Sequence, residues 1–364
     1  MEKIAGLICA NYETHELGVL TDDRTIATLP YGGRYRMIDF ALSNLVNSGI
    51  QSVGLITPYK YRSIFDHIGA GKEWSLDRKV GGLFVLPGST FGISGSRSRF
   101  LLRDLMQNDV FLKRSLADYV LLTSVDNVYS MDYRPMIQAH EKSGADVTLL
   151  YNVSLSDAPE YPGLVLEGNR VTGITSGVKA GDNVFACCMI ISRILLLNML
   201  EWYARVGHLD ILDVLQFDHS KMDIRAFEFP GYIRRINNQN EYYRYSMDLL
   251  RPEVQDELFF NERPVFTKVR NSVPTKYLNG SAAKNSIISP GCLIKGSVEN
   301  SLLFRNVKIE AGAVVRNSII MQSCVIGSGS IIENAIIDRG NGIASGTILR
   351  GTGENIFVLG KKGI

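Results

Sequence analysis

Two hydrophobic patterns divide the chain. From residue 1 to about residue 250, compact apolar runs alternate with stretches of helical periodicity. Lys3–Ala10 (KIAGLICA), Ser52–Thr57 (SVGLIT), Tyr119–Thr123 (YVLLT) and Val147–Tyr151 (VTLLY) predict buried strands. Phe40–Ser48, Pro135–Ser143 and Ser192–Tyr203 predict helices. The alternation predicts an α/β domain, with a mostly parallel sheet and helices on both faces. Ligands on such sheets bind at the carboxyl ends of the strands. That places interest on the loop after Ala10 and on Asp126.

From about residue 281 the pattern becomes an internal repeat. The phrase N-[SA]-[IL]-[IL] begins at Asn285, Asn300, Asn317 and Asn334, and the last two intervals are both 17 residues. A second phrase keeps the period: VKIEAGAVV at Val307–Val315, CVIGSGSII at Cys324–Ile332 and NGIASGTIL at Asn341–Leu349. Its glycines Gly312, Gly329 and Gly346 are 17 apart. Short β-branched strands with turn glycines predict a three-sided parallel β-helix, with about six residues per side. A β-sandwich would show hairpin turns and apolar–polar alternation instead. Residues 251–280 hold Pro252, Pro264 and Pro274 and little periodicity, and read as a linker. The predicted domains are therefore 1–250 and 281–364.

Composition changes this picture little. The 364 residues are 45% hydrophobic and 21% charged, an ordinary globular profile. A net charge of +2 gives no electrostatic reason to expect nucleic acid or an anionic membrane as a partner. No apolar run reaches the roughly 18 residues needed to span a bilayer. The N-terminus shows no positively charged leader or cleavage pattern. Cys9, Cys187, Cys188, Cys292 and Cys324 have no C-x-x-C spacing and read as reduced core residues of a cytoplasmic protein.

The loop after the first strand reads Asn11-Tyr12-Glu13-Thr14-His15-Glu16-Leu17-Gly18-Val19-Leu20-Thr21. It resembles the A-G-G-x-G-T-R-L-x-P-L-T phosphate loop of sugar nucleotidyltransferases, with Ala10, Leu17, Gly18, Leu20 and Thr21 keeping the frame. Further phrases point to one family. They are Pro30–Phe40 (PYGGRYRMIDF), Leu42-Ser43-Asn44, His67–Trp74 (HIGAGKEW), Leu76-Asp77-Arg78, Met131-Asp132-Tyr133 and Met247-Asp248-Leu249. Over nearly its whole length the chain resembles bacterial ADP-glucose pyrophosphorylases, the glucose-1-phosphate adenylyltransferases. The resemblance implies a Rossmann-like (GT-A-like) nucleotidyltransferase domain followed by a left-handed β-helix. Active members join ATP and glucose 1-phosphate into ADP-glucose and pyrophosphate, with Mg²⁺, as tetramers under metabolite control. The departures from their pattern resemble the GlgD type, the regulatory partner of a catalytic GlgC-type subunit in glycogen synthesis.

Those departures fall on the cations that bring two anions together, the core demand of phosphoryl transfer. Asn11, Tyr12 and Thr14 replace the loop glycines, and Glu16 replaces its arginine. Ile26 stands at the phosphate-contacting lysine of R-P-K-P-A-x-P. Gly177, in RVTGITSGV, stands at the lysine that holds the sugar phosphate. Arg235 replaces the metal-ligating aspartate of G-Y-W-R-D-V-G-T. The family's G-T-A-x-A stretch is missing, and Arg99–Asn108 reads RFLLRDLMQN. Asp126, in Ser124-Val125-Asp126-Asn127, keeps the other metal-ligand position. It is expected either to pair with Arg235 or to retain part of a metal site.

No functional catalytic residue and no cofactor are expected in this chain; Mg²⁺ belongs to the catalytic partner. Arg34 and Arg36 sit where relatives carry a basic residue implicated in binding phosphorylated effectors. They are candidate effector or interface residues, or merely solvated arginines. Tyr12 either fills the nucleotide cleft or stacks on a base. His67 is expected to be structural, and Trp74 and Trp202 core or interface residues. The expected assembly is a heterotetramer with the GlgC-type subunit, or a homo-oligomer when alone. The alternative is a divergent but active adenylyltransferase, with Arg235, Lys179 and Arg103 as substitute cations. An acyltransferase is disfavoured, because all five histidines (His15, His67, His140, His208, His219) precede the β-helix that would carry its base.

Overall fold

The computed structural model describes residues 3–12, 15–58, 60–88, 98–206 and 208–361. The predicted strands assemble into one nine-stranded sheet. At one edge Gly82–Pro87, Ser52–Thr57, Ile4–Cys9 and Tyr119–Thr123 pair in parallel. Asn183–Ser192 then runs antiparallel to Tyr119–Thr123 and to Val147–Val153. Ile224–Glu228, Arg170–Val178 and Ala158–Glu167 complete the sheet. The expected parallel order thus holds throughout one half and, in the other, only where Ile224–Glu228 pairs with Val147–Val153. In the other half, a tight turn at Gly168 (φ 61°) joins Ala158–Glu167 to Arg170–Val178, and a short hairpin imposes antiparallel pairing.

The first strand is buried at every position. Ile4 and Ile8 enter one core layer and Leu7 and Cys9 the other, the period-two alternation of a strand covered on both faces. The predicted helices form as Met37–Asn47, Arg134–Ser143 and Arg193–Trp202. No helix among the described residues is long and apolar enough to cross a membrane. All five cysteines are free and buried.

The repeat forms a left-handed β-helix of three parallel sheets, each of five short strands. Its corner asparagines Asn285, Asn300, Asn317 and Asn334 have φ of 41°, 45°, 45° and 48°. Asparagine tolerates this left-handed conformation better than other side chains, which explains why the phrase begins with it. Ile309, Val315 and Ile320 point inward from the three sides of one coil and stack on their equivalents above and below. On the third sheet the outward residues Leu302, Ile319 and Ile336 join the core of the α/β domain. Arg24 of that domain forms a buried ion pair with Asp338 of the β-helix. The two domains therefore share a core as well as a linker.

The linker is shorter than the sequence predicts. Pro252–Phe259 is a helix, with the proline in its first turn, where no amide hydrogen is needed. Its Phe259 ring stacks on Tyr35 at 4.8 Å. The first β-helix strand is Lys276–Tyr277, earlier than expected.

Candidate functional site

Parallel pairing of Ile4–Cys9 with Tyr119–Thr123 brings the ends of both strands together, and with them Tyr12 and Asp126. Space that glycines would leave open is filled here by side chains. Tyr12 is 1% exposed, and its hydroxyl accepts the Val125 amide at 3.0 Å. The Arg99 guanidinium lies over its ring at 4.1 Å, a cation–π contact. Asn11 donates to Asp104 at 2.9 Å. Of the two readings of Tyr12, the geometry supports the filled cleft. Thr14 lies outside the described residues.

Asp126 is fully buried. Its Oδ2 accepts from Arg99 Nε at 2.8 Å and from Arg235 Nε at 3.0 Å. Its Oδ1 accepts from the Ser124 hydroxyl at 2.5 Å. Burial alone would raise the Asp126 pKa, but the two guanidiniums outweigh it and hold the carboxyl well below the usual range. Arg99 also donates to Asn237 at 2.8 Å. Arg235 lies over the Tyr161 ring at 4.6 Å, and the Tyr161 hydroxyl donates to Glu241 at 2.9 Å. The cluster is a network of buried charge centred on Asp126, in which the Arg235 Nη1 atom is buried without a hydrogen-bond partner.

Mg²⁺ does not fit this arrangement. Both oxygens of the surviving carboxylate are occupied, two of their partners being guanidiniums that stay charged. Among the described residues, no three His, Cys, Asp or Glu side chains come together as a metal site.

Of the other altered positions, Ile26 and Gly177 are committed to packing and backbone geometry. Ile26 is 2% exposed, within the main core. Gly177 has φ 97° at a register shift in its strand, and a Cβ there would stand 3.0 Å from the Pro159 carbonyl. A lysine at that position would be strained as well as missing. Glu16 is exposed on the turn His15–Thr21. His67 is buried beside Asp39 at 2.5 Å, and the Trp74 indole donates to Ser43 at 3.2 Å, so both serve the core. Trp202 is at the surface. Of the proposed substitute cations, Arg235 is locked on Asp126, and Lys179 is exposed on the 178–183 turn. Arg99 was missed from sequence because it follows an absent phrase. The only signal was the need of a buried carboxylate for more than one donor.

Arg34 and Arg36 have a different setting. They line a cavity of about 640 Å³ between the α/β domain, the linker and the β-helix. Lys268 and Arg270 of the linker line it too, with Arg305, Arg339 and Lys361 of the β-helix; no carboxylate is among the lining residues, although Lys361 pairs with Asp23 at 3.0 Å behind them. The Nε atoms of Arg305 and Arg339 are buried without a hydrogen-bond partner. Burial lowers the Arg36 pKa to about 10; Asp39 works against that shift, and Arg270 and Arg339 add to it. Arg305 is also lowered, by burial first and then by Arg34 and Arg270.

A family profile described as nucleotidyl transferase matches residues 15–175, and one described as GlmU-like, C-terminal hexapeptide matches 271–355. The chain is 37% identical to the glycogen biosynthesis protein GlgD of Geobacillus stearothermophilus, over 86% of this chain and 83% of that protein. It is 32% identical to GlgD of Bacillus subtilis, over the same shares. It is 33% identical to the glucose-1-phosphate adenylyltransferase of Pseudothermotoga lettingae, over 86% of this chain and 77% of that protein. The chain belongs to the glucose-1-phosphate adenylyltransferase family. It is a GlgD-like member, and its assignment is to glycogen biosynthesis. Overall identity does not separate GlgD proteins from adenylyltransferases, since 32%, 33% and 37% form one range.

Proposed function

We propose that this chain is a non-catalytic regulatory subunit, which joins a GlgC-type catalytic homologue in a heterotetramer and shifts that partner's activity through their interface. The carrying observation is Asp126, whose two oxygens are taken by Arg99, Arg235 and Ser124. Losing one positioned cation at such a centre costs on the order of 10²–10³ in rate. Here the altered positions touch the triphosphate, sugar phosphate and metal sites together. The reading places the protein in the cytoplasm, with its cysteines reduced.

The cavity lined by Arg34 and Arg36 supports a second element of the proposal, a phosphorylated metabolite as effector. Its cations crowd one another, so an anion bound there gains more than a neutral ligand would. A ligand that binds across both domains and favours one arrangement of them transmits that preference to a partner subunit.

Pyrophosphate release from ATP, glucose 1-phosphate and Mg²⁺ tests the proposal. The purified chain should give none, while adding it to the catalytic homologue of the same organism should raise turnover or affinity. Robust release by the chain alone overturns the reading.

A further inference from the structure

The β-helix sheet that docks on the α/β domain has a cleft along each side. One is the basic cavity. The other, of about 1100 Å³, lies between the helix Gln239–Met247 and the β-helix corner, closed by the 353–356 loop. Its chemistry is the reverse of its neighbour's. Asn240, Asn317, Asn334 and Asn355 line it with primary amides. Its arginines are engaged, Arg251 with Asp248 at 3.0 Å and Arg244 with the Tyr245 hydroxyl at 2.9 Å. Glu16 and Glu354 face the same space and disfavour an anion. Apolar lining is limited to Met247, Ile356 and the half-buried ring of Tyr243. That ring is anchored by its hydroxyl, which donates to the Asn317 carbonyl at 2.7 Å.

This lining suits a neutral, elongated ligand dense in hydroxyl groups. A primary amide donates and accepts at once, as a sugar hydroxyl does, so amides match vicinal hydroxyls without charge. A fixed tyrosine offers an apolar face with a polar edge. Of the corner asparagines, Asn317 and Asn334 line the cleft on successive coils, the Asn334 amide also donating to the Gly351 carbonyl at 3.2 Å.

We propose that this cleft binds a run of α-1,4-linked glucosyl units, such as the outer chains of glycogen. The inference rests on the glycogen-biosynthesis assignment and is independent of the regulatory reading. A protein bound to glucan in this way would sit at the polymer that the pathway extends.

The test is affinity electrophoresis of the full chain in native gels cast with glycogen, with titration of maltoheptaose and cellohexaose by calorimetry. The expected result is retardation by glycogen and binding of maltoheptaose in preference to cellohexaose. Asn240→Leu combined with Asn355→Leu, both exposed positions, should weaken binding about tenfold. Arg270→Ala, in the basic cavity, should leave it unchanged. Migration unaffected by glycogen overturns the proposal. So does retardation equal in the double variant, or equal affinity for both oligosaccharides. Failure here leaves the pyrophosphate assay untouched, so the two readings fall separately.

Discussion

The buried cluster around Asp126 and the basic interdomain cavity are both built on arginine, yet they present opposite chemistry. Around Asp126, Arg99 and Arg235 are spent on an internal carboxylate and on tyrosine rings. In the cavity, Arg36 and Arg305 are pushed down by burial and neighbouring cations, and the buried Nε atoms of Arg305 and Arg339 lack partners. The first region holds a central carboxylate between its cations, although Arg235 Nη1 is buried without a partner; the second has no carboxylate among its lining residues and pairs only Lys361, with Asp23, behind them. Arginine content alone would rank the two sites alike; the state of their pairing separates them.

Breaking the internal pairing should have the largest effect. Asp126→Asn leaves two buried guanidiniums facing a neutral amide, and stability should fall by about 3–5 kcal/mol, read from the denaturant midpoint. The native carboxyl has a depressed folded pKa, so its contribution is present above its unfolded value of about 3.9 and lost only as pH falls through the lower folded value. The deficit of the variant should therefore stay flat from neutral pH down to the ordinary carboxylate range, and close only below it. A deficit that closes earlier would mean that the pair is not what holds this region.

Filling the cavity should have the next effect. Inorganic pyrophosphate at about 100 times its Kd should stabilise the chain by about 2.7 kcal/mol, seen as a rise in Tm. Arg270→Ala should remove most of that rise, whereas Asp126→Asn should keep it, because distant sites add. The smallest effect comes from relieving repulsion in the ligand-free protein. Arg305→Gln at low salt should be neutral or stabilising by up to about 0.5 kcal/mol, and added salt should erase the gain. Clear destabilisation would show that the cavity's cations are already balanced.

Local patterns carried the fold well and the site only in part. The strand Ser52–Thr57 and the corner asparagines follow from period and turn chemistry, which a short window of sequence holds. The helix Pro252–Phe259 was hidden by its proline, which reads as a breaker unless it is placed at a helix start. Ile26 was legible as a loss of charge and Arg235 as a reversal of it. The pairing of Arg235 with Asp126 was among the expectations, and it forms where Arg235 pairs with Asn127 across two short strands. The second guanidinium was not legible, because Arg99 lies 27 residues from Asp126 in an irregular segment held by Asp210. Tyr161 and Glu241 were hidden for the same reason, with 80 residues between them.

The buried contact between Arg24 and Asp338, residues 314 apart in sequence, makes the length of the β-helix a counted quantity. Asp338 reaches Arg24 only when the right number of coils precedes it. A duplicated coil inserted before Asp338 would keep every side chain on its proper face, yet carry the carboxylate about 4.8 Å past its partner. The same coil added directly after Leu359 would instead displace Lys361, which pairs with Asp23 at 3.0 Å and lines the basic cavity. A duplication before Asp338 should therefore cost a buried ion pair and one after Leu359 only a partly exposed one, an order that the stabilities of coil-duplication variants can check.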